Sequence, residues 1–110
     1  MSKNQPLNPV KTESVEDDPM KQTIEEILER VYCENPEYVK VLVKAILNAK
    51  EKESLNGKWT IRTVYLSGSE IRKFYRDEKV IRYILSKILQ RPFKLSFKDR
   101  HNLQLVILKS

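Results

Sequence analysis

The sequence predicts an α+β fold: two helices at the N-terminal end, then a small strand-helix-helix-strand-strand domain with an antiparallel sheet. Three observations predict it. Between residues 20 and 46 apolar side chains recur at helical spacing. The stretch "WTIRTVYL" (59–66) alternates and is β-branched or aromatic at most positions. The closing stretch "RPFKLSFKDRHNLQLVILKS" holds two alternating runs around the loop "DRHN", which reads as a hairpin. The chain has 110 residues, enough for one small domain.

Each element has a local cause. Residues 1–18 are polar, end in the acidic "ESVEDD" and lack an apolar period, so they read as a disordered tail. Asp18-Pro19 can start a helix, with Asp as N-cap and Pro in the first turn; Thr23 with Glu26 offers a competing capping box. Met20, Ile24, Ile27, Leu28, Val31 and Tyr32 then fall on one stripe, and "ENP" ends the helix, because the residue before proline resists the α conformation. This segment, 19–34, is amphipathic and too short to stand alone in water. The pattern leaves two uses for its apolar side: the chain's own core, against residues 39–47, or a partner.

Asn35-Pro36 starts a second helix by the same cap logic, with Val39, Leu42, Val43 and Ile46 at helical spacing; its valines also allow a strand. Residues 35–57 read as a helical linker, closed by a turn at Asn56-Gly57. In the C-terminal domain, 58–110, Ser67 caps a helix with Glu70 completing the capping box, and Ile71 and Phe74 face inward. The next helix turns Val80, Ile81, Ile84, Leu85, Ile88 and Leu89 to one side.

Charge divides the chain. Residues 1–57 carry a net −3, and residues 58–110 a net +9. The basic half suits an acidic partner, nucleic acid being the usual one. Arg72, Lys73, Arg76, Lys79, Arg82, Lys98 and Arg100 are the candidate contacts. No apolar run reaches the length of a membrane span, and the first ten residues lack the apolar core of a secretory leader. One cysteine, Cys33, rules out an intramolecular disulfide and a four-cysteine zinc ribbon; the expected compartment is reducing and cytoplasmic.

The residues suggest no catalysis, cofactor or metal. The single histidine, His101, sits in the hairpin loop and reads as a solvated residue. Gly57 and Gly68 stand apart, so no phosphate-cradling loop exists. The pair Asp77-Glu78 lies at a helix start, where it complements the helix dipole. Strand, helix, helix and hairpin is also the order of a winged-helix DNA-binding regulator, with Lys79, Arg82, Tyr83 and Ser86 on the second helix and the 98–101 loop as the wing.

A second reading rests on resemblance. "IEEILERVYCENPE" resembles the N-terminal helix of the beta subunit of translation initiation factor 2, through Ile24, Ile27, Leu28, Arg30, Val31, Tyr32, Asn35, Pro36 and Glu37. "IRTVYLSGSEIRKFYRD", "VIRYILSKIL" and "NLQLVILK" are similar to the following strand, helices and closing strand of that family, in the same order. The domain is shared with the N-terminal part of translation initiation factor 5, whose GTPase-stimulating arm has a different pattern. The chain departs from the family in lacking the four-cysteine zinc ribbon and the lysine-rich boxes of the eukaryotic tail. The resemblance implies an adaptor without catalysis. Its first helix would dock on the GTP-binding gamma subunit through Ile24, Ile27, Leu28, Val31 and Tyr32. Its basic domain would contact initiator tRNA, messenger RNA or ribosomal RNA.

Overall fold

The computed structural model describes residues 19–109; the expected tail at 1–18 lies outside them. Four helices and four strands follow in the order α1 (Pro19–Arg30), α2 (Pro36–Leu47), β1 (Lys52–Glu53), β2 (Trp59–Tyr65), α3 (Gly68–Arg76), α4 (Glu78–Leu89), β3 (Phe93–Phe97) and β4 (Asn102–Leu108). The strands form one antiparallel sheet in the order β1-β2-β4-β3. The expected α+β architecture is therefore present, with one strand added. β1 occupies what reads in the sequence as the end of the second helix. That helix stops at Leu47, and Lys52 and Glu53 pair with Ile61 and Thr60 of β2 around a tight turn. Gly57 holds the turn at φ +72, and Asn56 Oδ1 accepts hydrogen bonds from Ser54 Oγ (2.7 Å) and the Lys58 amide (2.9 Å).

The two faces of the sheet have opposite fates. On one, Thr60, Ile107 and Phe93 form a cross-strand row, followed by Arg62, Leu105 and Leu95, then Val64, Leu103 and Phe97. These rows meet the helices. Leu95, Leu103, Leu105 and Ile107 join Phe74 of α3 and Ile81, Ile84 and Leu85 of α4 in the core. The same core takes in Val39, Leu42, Val43 and Ile46 of α2 and Ile24 of α1. What the sequence divides into a docking helix, a linker and a domain thus shares one hydrophobic core. The valine-rich second segment is a helix, and burial of its whole i, i+3, i+4, i+7 set explains why.

Polar contacts fix α2 at both ends. Asp77, between α3 and α4, is 2% exposed. Its carboxylate accepts from the amides of Glu34 (2.7 Å) and Asn35 (2.9 Å), just ahead of α2. The Asn35 side chain makes no cap hydrogen bond; the buried acid instead anchors the two residues that lead into the helix. At the other end, Arg62 Nη1 donates to the Leu47 carbonyl at 2.7 Å. A negative group near the start and a positive group at the end match the helix dipole. Asp77 also stands at the N-cap of α4, with Glu78 in the first turn, where the pair was expected to complement the helix dipole; its side chain makes no cap bond there.

Local caps elsewhere follow the sequence. The Ser67 hydroxyl accepts from the Glu70 amide and the Glu70 carboxylate from the Ser67 amide, a complete capping box. Gln90, at φ 51, closes α4 in the left-handed region.

Candidate nucleic-acid interface

The basic side chains of the C-terminal half sit on three fixed supports. The first is α3, pinned by its capping box and by Phe74, whose ring meets Phe97 edge-on at 5.5 Å. With Phe74 inward, Arg72, Lys73 and Arg76 point to solvent, and all three are exposed. Among the described residues Arg72 has no hydrogen bond or ion pair. Lys73 lies over the Tyr38 ring at 5.5 Å. Arg76 pairs with Glu34 at 3.9 Å across exposed surface, a contact of small energetic weight.

The second support is α4. Lys79, in its first turn, is exposed and, among the described residues, unpaired. Arg82 is different. Its Nε donates to Glu78 Oε2 at 2.9 Å and its Nη2 to the Leu95 carbonyl at 2.9 Å, and Nη2 lies 2.7 Å from Glu78 Oε2. Arg82 thus ties α4 to β3, and a nucleic-acid contact would have to break those bonds first.

The third support is the β3–β4 turn. The Asp99 carboxylate accepts from the amides of His101 and Asn102 and from the Asn102 side chain, each at 3.0 Å. These bonds hold its carboxyl below the usual carboxylate range, with the His101 amide contributing most. The turn is closed by these bonds, and it presents Lys98 and Arg100 as exposed side chains. His101 is no loose loop residue. Its Nδ1 lies 2.8 Å from the Leu66 carbonyl, so that nitrogen carries the proton. Its ring stacks on Tyr65 with centroids 5.1 Å apart.

The residues expected to dock a partner are divided by the fold. Ile24 is fully buried in the core, and Ile27 and Leu28 are half-buried against it. Val31 is half-buried. Tyr32 is 85% exposed in the α1–α2 link. One shallow groove brings the two predicted sets together: Tyr32 and Glu34 form one wall, and Tyr75, Arg76, Glu78 and Lys79 line the other.

The structure adds two residues that sequence reading passes over. Arg62 faces inward from a strand, and Asp77 sits between two helices; neither contact shows in local pattern, since their partners lie 15 and 42–43 residues away. Cys33 is half-buried, and burial, then the Asp77 charge, push its thiol pKa up, away from nucleophilic use. Among the described residues no His, Cys, Asp and Glu side chains group in a way that would hold a metal ion, and no helix is long and apolar enough to cross a membrane. Comparison with protein-family models, curated proteins and solved structures found no match to this chain.

Proposed function

We propose that this chain is a cytoplasmic, non-catalytic adaptor of the translation initiation factor 2 beta type. Its basic domain contacts structured RNA, and its first helix meets a GTP-binding subunit. The observation that carries the RNA half is the set Arg72, Lys79, Lys98 and Arg100: four exposed cations without ion pairs among the described residues, on a capped helix, a helix start and a hydrogen-bonded turn. Such groups reach phosphates without first breaking internal contacts. Arg76 and Lys73 add weaker support, and Arg82 acts by holding α4 against β3. Initiator tRNA, messenger RNA and ribosomal RNA all offer the phosphates this surface suits.

The docking half is narrower than the sequence resemblance implies. Ile24 serves the chain's own core, so the gamma subunit would be met by Tyr32 and Val31, with the outer edges of Leu28 and Ile27. Tyr32 is the anchor, as a large exposed aromatic of the kind that carries binding energy at interfaces.

Two titrations test the reading. Binding to a folded RNA hairpin should weaken steeply with salt, and replacing Arg72, Lys79, Lys98 and Arg100 by Gln should lower the log–log salt slope by about four. A flat salt dependence in the unmodified chain overturns the RNA half. Titration into a matched GTPase subunit should show saturable binding that Tyr32→Ala weakens tenfold or more, as expected of a hot spot at about 2 kcal/mol. No binding to an active subunit overturns the docking half.

The competing reading is a winged-helix DNA-binding regulator. The pairing of β2 with β4 favours it, because it closes the strand-helix-helix-hairpin order into one sheet. Against it, only Asp77 separates α3 from α4, and Arg82 is committed to Glu78 and Leu95. Sequence-specific binding to duplex DNA, tighter than to the hairpin, would decide for this second reading.

A further inference from the structure

All four helices pack on one side of the sheet, through the rows that end in Ile107, Leu105 and Leu103. Among the described residues no element covers the opposite face. Its rows are Trp59 with Leu108; Lys52, Ile61, Val106 and Lys94; Thr63, Gln104 and Ser96; and Tyr65 with Asn102. No position in these rows is Asp or Glu, and two are lysine.

Aromatic rings stand at the two ends. Trp59 lies half-buried beside Ile61 and Val106, in a shallow apolar hollow with Lys94 at its edge. Tyr65 is 66% exposed and is braced from behind by the His101 ring. Six steps along the strand separate them, about 20 Å. Between them lie a hydroxyl, an amide and a second hydroxyl, from Thr63, Gln104 and Ser96. A protein partner or a second copy would favour one continuous apolar patch. Here a polar row divides the apolar surface, and both ends present a flat ring.

We infer that this open face is a binding platform for single-stranded RNA. Unpaired bases stack on Trp59 and on the Tyr65–His101 pair, and Lys52 and Lys94, with Lys58 beside Trp59, meet the phosphates. Stacking on rings is open only to bases outside a duplex, and the lysines match the backbone charge. The spacing accommodates a segment of about four nucleotides. Arg72 and Lys79 lie on the helices, while Lys98, whose amide donates to the Asn102 carbonyl at 2.8 Å, borders the Tyr65 end of this face, so a folded RNA with an unpaired tail would engage both surfaces.

The chain reports on this face directly, since Trp59 is its single tryptophan. Titrating the full chain with a twelve-nucleotide oligouridylate should quench tryptophan emission saturably. Tyr65→Ser, at an exposed position, should weaken binding about tenfold without changing the salt slope, because stacking releases no counterions. Trp59→Phe should keep most of the affinity, read by anisotropy of a labelled oligomer, and Trp59→Ala should lose about as much as Tyr65→Ser. Thermal unfolding of each variant, unchanged from the parent, separates lost binding from lost fold.

Absence of quenching, or equal affinity for a blunt duplex, overturns the inference. So does an emission change that follows protein concentration rather than oligomer, which would assign the face to a second copy. If the folded hairpin still binds with its steep salt slope while the oligouridylate does not, this inference fails and the adaptor reading stands.

Discussion

α1 and α2 are each twelve residues long and amphipathic, yet the fold treats them differently. α2 sends four side chains fully into the core and is held at both ends by charge: the Asp77 carboxylate ahead of its start and the Arg62 guanidinium at its last carbonyl. Among the described side chains of α1, Ile24 alone is fully buried, while Ile27 and Leu28 lie half-covered where the helix rests on α4 and α2. The stripe that looks most like a ligand for another protein is thus partly spent at home, and its exposed end at Tyr32 is what remains. An apolar stripe states that a helix must be buried; the depth of burial depends on how many of its positions meet the core and on what secures its ends.

The largest test removes core volume from each helix. Ile46 is 1% exposed on α2, and Ile46→Ala should cost about 3–4 kcal/mol in urea unfolding, within the range for buried aliphatics. Leu28→Ala, on the half-covered flank of α1, should cost roughly 1–2 kcal/mol, in proportion to the smaller apolar area it covers. Equal losses would break the comparison and make α1 as much a core element as α2.

Next in size is the link between them. Asp77→Ala deprives the Glu34 and Asn35 amides of their acceptor. Two hydrogen bonds to a charged group, at about 1.5 kcal/mol each, put the loss near 3 kcal/mol. Amide exchange at Glu34 and Asn35 should accelerate by more than at Leu85, in the centre of α4. A variant as stable as the parent, with unchanged exchange at the two amides, would mean that they need no partner from the α3–α4 junction.

These contrasts also mark where sequence reading reaches. Helical spacing at Val39, Leu42, Val43 and Ile46, the Ser67–Glu70 box and the alternation in β2, β3 and β4 are local, and each is present in the fold. The β1 pairing, the Asp77 bonds to Glu34 and Asn35 and the Arg82 bridge to Leu95 join residues distant in sequence, and no local pattern encodes them. The candidate site divides in the same way. Charge alone marks Arg72, Lys98 and Arg100, which remain free; the same charge marks Arg82, which is engaged. The second face of the sheet was legible in part. In "WTIRTVY" the outward set Trp59, Ile61, Thr63 and Tyr65 is more apolar than the inward set Thr60, Arg62 and Val64, the mark of a strand with work on both sides.

The smallest effect sharpens the contrast from within α2, at the one place where its fit is imperfect. Tyr38 packs against the core, but its hydroxyl is buried with no hydrogen-bond partner. Burial, and secondarily the Glu70 charge, push its pKa from 10.0 up to about 12. Tyr38→Phe keeps the ring under Lys73 and removes the stranded hydroxyl, so it should stabilise the fold by about 0.5–1 kcal/mol at neutral pH. The pH dependence carries a definite sign. A phenol with a raised pKa in the folded state leaves stability whole below pH 10.0 and reduces it as pH climbs toward 12, because the unfolded chain ionises first. The advantage of Tyr38→Phe over the parent should therefore widen through that window in paired urea titrations. A gap that stays constant, or a variant less stable than the parent at neutral pH, would show that the hydroxyl finds a partner after all, and α2 would then fit its surroundings along its whole length.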